Sequence, residues 1–414
     1  MKRFLSKYAP LLSTLLFGIA VFLFWRIRYP FALTYQEQFQ LFMFDDDYFC
    51  SRMAEPGGLA RYVAEFLTQF YNGVTYGALI IAILYMLVQR LTWRLMRSEG
   101  HYALSFIPPV MLWYAMGDES VMLTYVVALL MAMAIAWGWR SWSEKWSQWV
   151  KWLVALLLIP VVYWLIGPMV VLVALLMMPW TITVATLLYS LGLILLSAHY
   201  LPFPMLRTAF GISYYRFPTM LPYWLMAIPV VICLMTYLIN RLPKARQWVQ
   251  AAEVMVVLVA IGFLVDLGYD KKKYELIEYD YLVRIRDWKG IIAKAEKQMP
   301  DLPMSVSATN LALAMTNQLG DRAFEFYQRG AQGLFPKFER NFANSQLTGE
   351  IYFHLGMINT AQRLAFESME AIPNYNKSAR AVKRLAETNI RSASGARRAP
   401  APGCRTRPHT HSAS

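Results

Sequence analysis

The chain has 414 residues, 57% of them hydrophobic and only 16% charged, whereas soluble domains carry about 25% charged residues. With 14 Trp, 25 Tyr and 23 Phe, that balance excludes an ordinary soluble domain and fits several membrane spans with aromatic belts at the interfaces. The formal charge of +14 is no argument for nucleic acid, because Lys and Arg in short loops are what orient a membrane protein. Cys50, Cys233 and Cys404 lie far apart without a CxxC or a nearby His, which excludes a disulfide scaffold or a structural zinc site.

A helix needs about 20 apolar residues to cross roughly 30 Å of hydrocarbon, and the gaps between charges locate such runs. The first, Leu11 to Phe24, has no small-residue cleavage site before Trp25-Arg26 and reads as a retained anchor. Further runs follow at Asn72 to Val88, Tyr102 to Met116 and Val121 to Trp139. From Trp152 to Leu206 no charge appears, so this stretch must fold into two or three crossings, with turns at Gly167-Pro168 and Pro179-Trp180. The last runs are Met220 to Ile239 and Trp248 to Leu267. The expectation is an all-α polytopic bundle of eight to nine helices over residues 1–270. Nine spans with a cytoplasmic N-terminus put twelve Lys/Arg inside and six outside, in keeping with the positive-inside rule for a bacterial inner membrane protein. Counting Lys271 to Lys273 beside the last run, however, reverses the preference for nine. Eight spans give eleven against seven and place the C-terminal part on the other side.

Residues 271–390 change to mixed-charge amphipathic helices. Turn signals recur at Asp287-Trp288, Gly320-Asp321 and Gly356-Met357, each followed by small or apolar residues at helical spacing: Ile291 and Ala295, Ala323 and Phe326, Ala361 and Ala365. Pro300, Pro336 and Pro373 are placed to end the second helices. The segment Leu355-Gly356, Ala361, Ser368, Pro373 resembles the second half of a tetratricopeptide repeat, which implies stacked helical pairs and a surface for a protein partner. A fourth unit starts at Asn376, and its turn is expected near residue 391. Residues 391–414 lack Leu, Ile, Val and aromatics, and read as a disordered basic tail or as the product of a shifted reading frame.

The loop between the first two runs, residues 26–71, is the richest in chemistry. It holds Glu37, then Asp45-Asp46-Asp47, then Glu55-Pro56-Gly57-Gly58, then an amphipathic stretch from Leu59 to Tyr71 suited to the membrane interface. Three adjacent carboxylates cannot all face one divalent cation, and a solvated turn is the alternative. Asp45 to Asp47 could still offer oxygen ligands to a divalent cation, but no Walker A, HExxH, GxSxG or dinucleotide fingerprint is present. Ionisable residues are nearly absent from the runs, with Glu253 and Asp266 toward their ends, which argues against an ion-coupled transporter.

In plan, this loop, the Asp118-Glu119 pair and the basic stretch from Arg207 to Arg216 resemble the C-type membrane glycosyltransferases, although no Asp-Glu pair follows the first run directly. The whole chain is also similar to an uncharacterised family of multi-span bacterial proteins with helical-repeat C-termini. The glycosyltransferase resemblance implies a polyprenyl-phosphate-linked donor at the outer face and sometimes a divalent cation. It also implies an acidic general base. In those terms Glu37 is the base, Glu65 or Asp118 positions acceptor or metal, and Arg207 and Arg216 hold the lipid phosphate through bidentate guanidinium bonds. The competing reading is a non-enzymatic membrane scaffold whose repeat domain recruits a partner, with the same residues as solvated loop charges and interface anchors.

Overall fold

The computed structural model describes residues 2–398 other than 99, 218–219, 244, 338–341 and 373–375. Pro373, Cys404 and the tail from 399 onward lie outside these residues. Among the described residues every named element is helical, and the one strand-like feature is an isolated antiparallel bridge between Val121 and Tyr215. The chain divides into two compact units, Met1–Tyr281 and Leu282–Ser414.

The first unit begins with α1 (Lys2–Leu23), which runs into a π-helical turn over Phe24–Arg28. The loop that follows is built from α2 (Pro30–Glu37), α3 (Asp46–Met53) and α4 (Gly58–Thr68). Next come α5 (Val74–Met96), α6 (Ile107–Ala115), α7 (Leu123–Trp142), α8 (Gln148–Ile166), α9 (Val170–Leu176) and α10 (Trp180–Tyr200). Then follow α11 (Met205–Phe210), α12 (Ala227–Leu238), α13 (Gln247–Leu267) and α14 (Lys271–Ile285). Among the described residues, seven helices are long and apolar enough to cross a membrane. The expected eight to nine exceed this because two apolar segments are short: Ala103–Ala115, and α9, which follows a break at Gly167.

α7 sits at the centre, against α4, α5 and α9. Its Val126, Ala128, Leu129, Ala132, Met133 and Ala136 are buried, and the small residues among them let neighbouring backbones approach. Peripheral α13 exposes Val254, Met255, Leu258 and Phe263, as a helix does when its solvent is hydrocarbon.

Because α7 is continuous, its ends define the two ends of the bundle. At its start, the Met122 amide donates to the Tyr214 carbonyl at 3.0 Å and the Arg216 amide to the Ser120 carbonyl at 2.8 Å. At its finish, the Trp139 indole donates to the Met178 carbonyl at 3.2 Å and Arg97 pairs with Glu144 at 2.6 Å. The charge-free stretch zigzags between these ends. The Ile166 carbonyl accepts from the Tyr214 hydroxyl at the first end, whereas the Leu175 carbonyl, accepting from Tyr237 at 2.5 Å, belongs to the second. Ser197 in α10 returns to bond Tyr163. Gly167 turns the chain with φ +69, a value open to glycine and costly for other residues.

The second unit, described by itself, contains α15 (Trp288–Lys297), α16 (Pro303–Met315), α17 (Leu319–Arg322), α18 (Phe342–His354), α19 (Ile358–Glu370) and α20 (Ala379–Arg398). Three turns share one geometry: Arg286, Asn317 and Gly356 take positive φ. The next amide in each case donates to a carbonyl five residues back: Asp287 to Leu282 at 3.0 Å, Gln318 to Leu313 at 2.8 Å and Met357 to Tyr352 at 2.9 Å. This is the Schellman closure of a helix. The second turn is centred on Asn317, not on Gly320, which lies inside α17. The helix expected across Ala323 and Phe326 stops at Arg322. The Ala323 carbonyl accepts from the Phe326 amide at 3.4 Å, closing a single 3-10 turn, and from the Gln328 side chain at 2.6 Å, so the α-helix does not continue. α20 runs to Arg398 without a turn near 391, since Ala and Arg are strong helix formers.

Candidate functional site

The residues singled out in the sequence gather at the first end of the bundle, but in two separate groups. One is centred on α4. Its amphipathic pattern is real, yet the buried side is the charged one: Ala60, Arg61, Ala64 and Glu65 face the bundle while Phe66 and Leu67 are half-exposed and Phe70 is exposed. Glu65 is 1% exposed. It accepts from the Tyr48 hydroxyl at 2.6 Å, Arg52 Nε at 2.7 Å and Arg61 Nε at 3.0 Å. Arg61 also bonds Glu55 at 3.0 Å, and Arg52 lies over the Tyr48 ring at 4.3 Å. Three donors take most of the acceptor sites of this carboxylate, so in this structure Glu65 acts as an anchor between α3 and α4.

Arg207 leans toward this group. Its guanidinium donates to the Ile212 carbonyl from Nη2 at 3.0 Å, and burial lowers its affinity for a proton, offset in part by Glu55. Asp45 caps α3 by accepting from the Tyr48 amide at 2.5 Å. Among the described residues no three His, Cys, Asp or Glu side chains are grouped to hold a metal ion.

The second group forms around Asp118. Its carboxylate accepts from the Ser120 amide at 2.9 Å and the Tyr215 hydroxyl at 3.0 Å. Burial and the Asp118 charge push the Tyr215 phenol up to about 12, so it stays a donor. Beside it, Lys273 Nζ donates to Glu119 at 3.0 Å. Desolvation alone would lower the lysine, but the Glu119 bond and the Asp118 and Asp270 charges outweigh it and hold the ammonium above its usual range. These groups line an open cleft of about 290 Å³, walled by Tyr114, Trp224 and Tyr269. Its floor depends on two glycines: a Cβ on Gly117 would lie 2.4 Å from the Gly268 carbonyl oxygen, and one on Gly268 2.5 Å from that of Tyr114.

Behind the cleft acids lies Arg216, 6% exposed. Its guanidinium stacks on the Phe39 ring at 3.3 Å, with the Tyr35 ring at 5.8 Å. Nε and Nη1 are buried with no hydrogen-bond partner. Burial lowers its proton affinity, and Tyr35, Glu119 and Asp118 counter this; a guanidinium keeps its proton in either case. Leaving buried donors of a charged group unmade is costly, and the Phe39 and Tyr35 rings offset only part of that cost.

Glu37 ends α2 and is half-buried; neither it nor Glu65 lines the cleft. Sequence reasoning weighed Asp118 and Arg216 but missed Asp270, Lys273, Tyr114 and Trp224. The Lys271 to Lys273 run directly after the last apolar helix was the available signal for the lysine. For the two aromatics there was none, because belt residues look alike in sequence.

The architecture and this polar end define a polytopic, all-helical membrane protein. Residues 6–396 match the family of unknown function DUF6057, and the chain belongs to that family. No curated protein and no solved structure matches it.

Proposed function

We propose that this is a multi-pass protein of a bacterial inner membrane that transfers a group, a sugar in the leading reading, from a polyprenyl-phosphate donor at the outer face. The observation that carries this is Arg216, a buried guanidinium with unpaired donors, standing behind an acidic cleft at the same end as the aromatic loop. Phosphate is the anion that guanidinium geometry matches best together with carboxylate. Asp118, oriented by Tyr215 and the Ser120 amide, is better placed than Glu37 to take a proton from an acceptor hydroxyl. The aromatic residues of the first loop, including Phe44 at 78% exposed just before α3, suit the headgroup region, where a lipid donor enters.

Counting α6 and α9 as short crossings gives nine passes. The zigzag of α8, α9 and α10 supports that count, and with a cytoplasmic N-terminus it puts the cleft outside. The three matched Schellman turns support a tetratricopeptide-like reading of the second unit. A scaffold role draws on the same unit, where Phe324 is 92% exposed and available to a protein partner.

The test is binding of a polyprenyl phosphate to purified protein carrying Arg216→Ala or Arg216→Lys, alongside glycolipid analysis of cells expressing each. Losing hydrogen bonds to a charged group costs about 1.5–3 kcal/mol, so Arg216→Ala is expected to weaken binding by about tenfold to a hundredfold. Unchanged lipid binding and unchanged glycolipids, at normal abundance, reject the transferase reading.

A further inference from the structure

We propose that the cleft beside Asp118 is a saccharide-binding subsite, taking one small pyranoside. The inference rests on the transferase reading only for the sugar's part in a reaction; binding itself stands on the cleft. Its volume of about 290 Å³ is at the small end of ligand sites, which span about 300–1,000 Å³. Two aromatic walls, Trp224 and Tyr114, are 40% and 37% exposed. Their rings meet edge to face at 5.9 Å, so the two do not bury each other face to face, and both line the cleft. An aromatic face packs on the C–H face of a pyranose, since the ring's negative face attracts polarised C–H groups. Around that platform stand Asp118, Glu119 and Asp270 as acceptors and Lys273 as donor, which is what a dense array of hydroxyls requires.

Two rival ligands fit less well. A divalent cation lacks a ligand cluster among the described residues. A quaternary amine would use the same aromatics, but Lys273 occupies the cleft and Arg216 stands within electrostatic reach of Asp118 and Glu119. Two cations against three carboxylates leave little net charge to draw another cation, and favour a neutral, hydroxyl-rich molecule.

The experiment is saturation-transfer NMR on the full chain in lipid nanodiscs, with methyl glycosides of glucose, galactose, mannose and N-acetylglucosamine as probes and choline as competitor. At least one glycoside should receive saturation, strongest at its ring C–H protons. Trp224→Ala should reduce the signal several-fold and Trp224→Phe should restore most of it. Asp270→Asn should weaken it while keeping the cap that Asp270 gives the Lys272 amide at 3.0 Å. Because Trp224 is half-exposed, its loss leaves the bundle core intact. No transfer from any glycoside overturns the proposal, as does a signal indifferent to Trp224→Ala or abolished by choline. Polyprenyl-phosphate binding by the Trp224→Ala protein separates the two readings. If it persists while no glycoside binds, the subsite fails alone; if glycosides bind and Arg216→Ala leaves lipid binding unchanged, the donor reading fails alone.

Discussion

Glu65 shows how a single side chain changes meaning between sequence and structure. On a helical wheel it opposes Leu59, Val63, Phe66 and Phe70, and in a soluble protein that pattern places it in water. Here the apolar side of α4 faces outward and the carboxylate faces the bundle, where Arg52, Arg61 and Tyr48 saturate it. An amphipathic pattern says that two faces differ; the surrounding solvent decides which is buried. Breaking a buried charge pair by removing one partner costs about 3–5 kcal/mol. Glu65→Gln should therefore lower the thermal midpoint of the purified protein, and Arg61→Gln should lower it comparably, with the double variant falling short of the sum. A normal midpoint with lost activity would instead make Glu65 a functional carboxylate. Asp118 illustrates the converse: its place in a short polar turn was legible, whereas its Tyr215 partner, nearly a hundred residues away, was not.

Among the elements, α13 carries an ionisable contact of a different kind. Its Glu253 is buried and lies 2.5 Å from His101 Nδ1, while His101 Nε2 faces the Pro243 carbonyl at 3.1 Å. Both ring nitrogens meet acceptors, so the imidazole must carry both protons to satisfy them. Desolvation would lower its proton affinity, but the Glu253 and Pro243 bonds prevail and raise it. A group whose folded value is raised contributes stability that is full below its unfolded value, about 6.5 for histidine, and is lost as pH climbs through the folded value. The thermal midpoint should fall across that alkaline window, and His101→Gln should flatten the fall. A wild-type slope identical to that of the variant would exclude the contact as its source. The sequence marked the helix by its charge gap and set Glu253 near its end, but a pairing across roughly 150 residues has no local signature. The turns were more readable: glycine at 167 and 356 marked breaks, whereas Asn317 went unnoticed because asparagine is only an occasional left-handed residue.

For the molecule as a whole, the decisive quantity is the parity of crossings. The proposed nine passes would put the first loop and the residues after the last span on one side of the membrane and the α7–α8 connection on the other. In a background with the native cysteines replaced, single cysteines at the exposed positions Ser51, Lys289 and Ser147 report this directly. Ser51 and Lys289 should react with an impermeant maleimide from outside, and Ser147 only after permeabilisation. Labelling of Lys289 with Ser147 would reverse the parity. Composition alone made the helical, multi-span class readable, because hydrocarbon imposes helix on any uniformly apolar stretch. It left the count open, since the charge-free stretch from Trp152 to Leu206 could hold two or three crossings, and α9 within it is only Val170–Leu176. The cleft was not readable as a site at all, being assembled from three segments that meet only at the bundle's end.

That assembly sets an order of events during biosynthesis. The backbone contact between Gly117 and Gly268, and the Lys273–Glu119 bond beside it, join segments about 150 residues apart. A chain inserted from its N-terminus will have placed Asp118 and Glu119 long before their partners emerge. The acidic turn therefore waits, exposed, until the last apolar helix docks. Any product that stops short of Gly268 lacks the residues that close the cleft, so the site is complete only when the last apolar helix is in place.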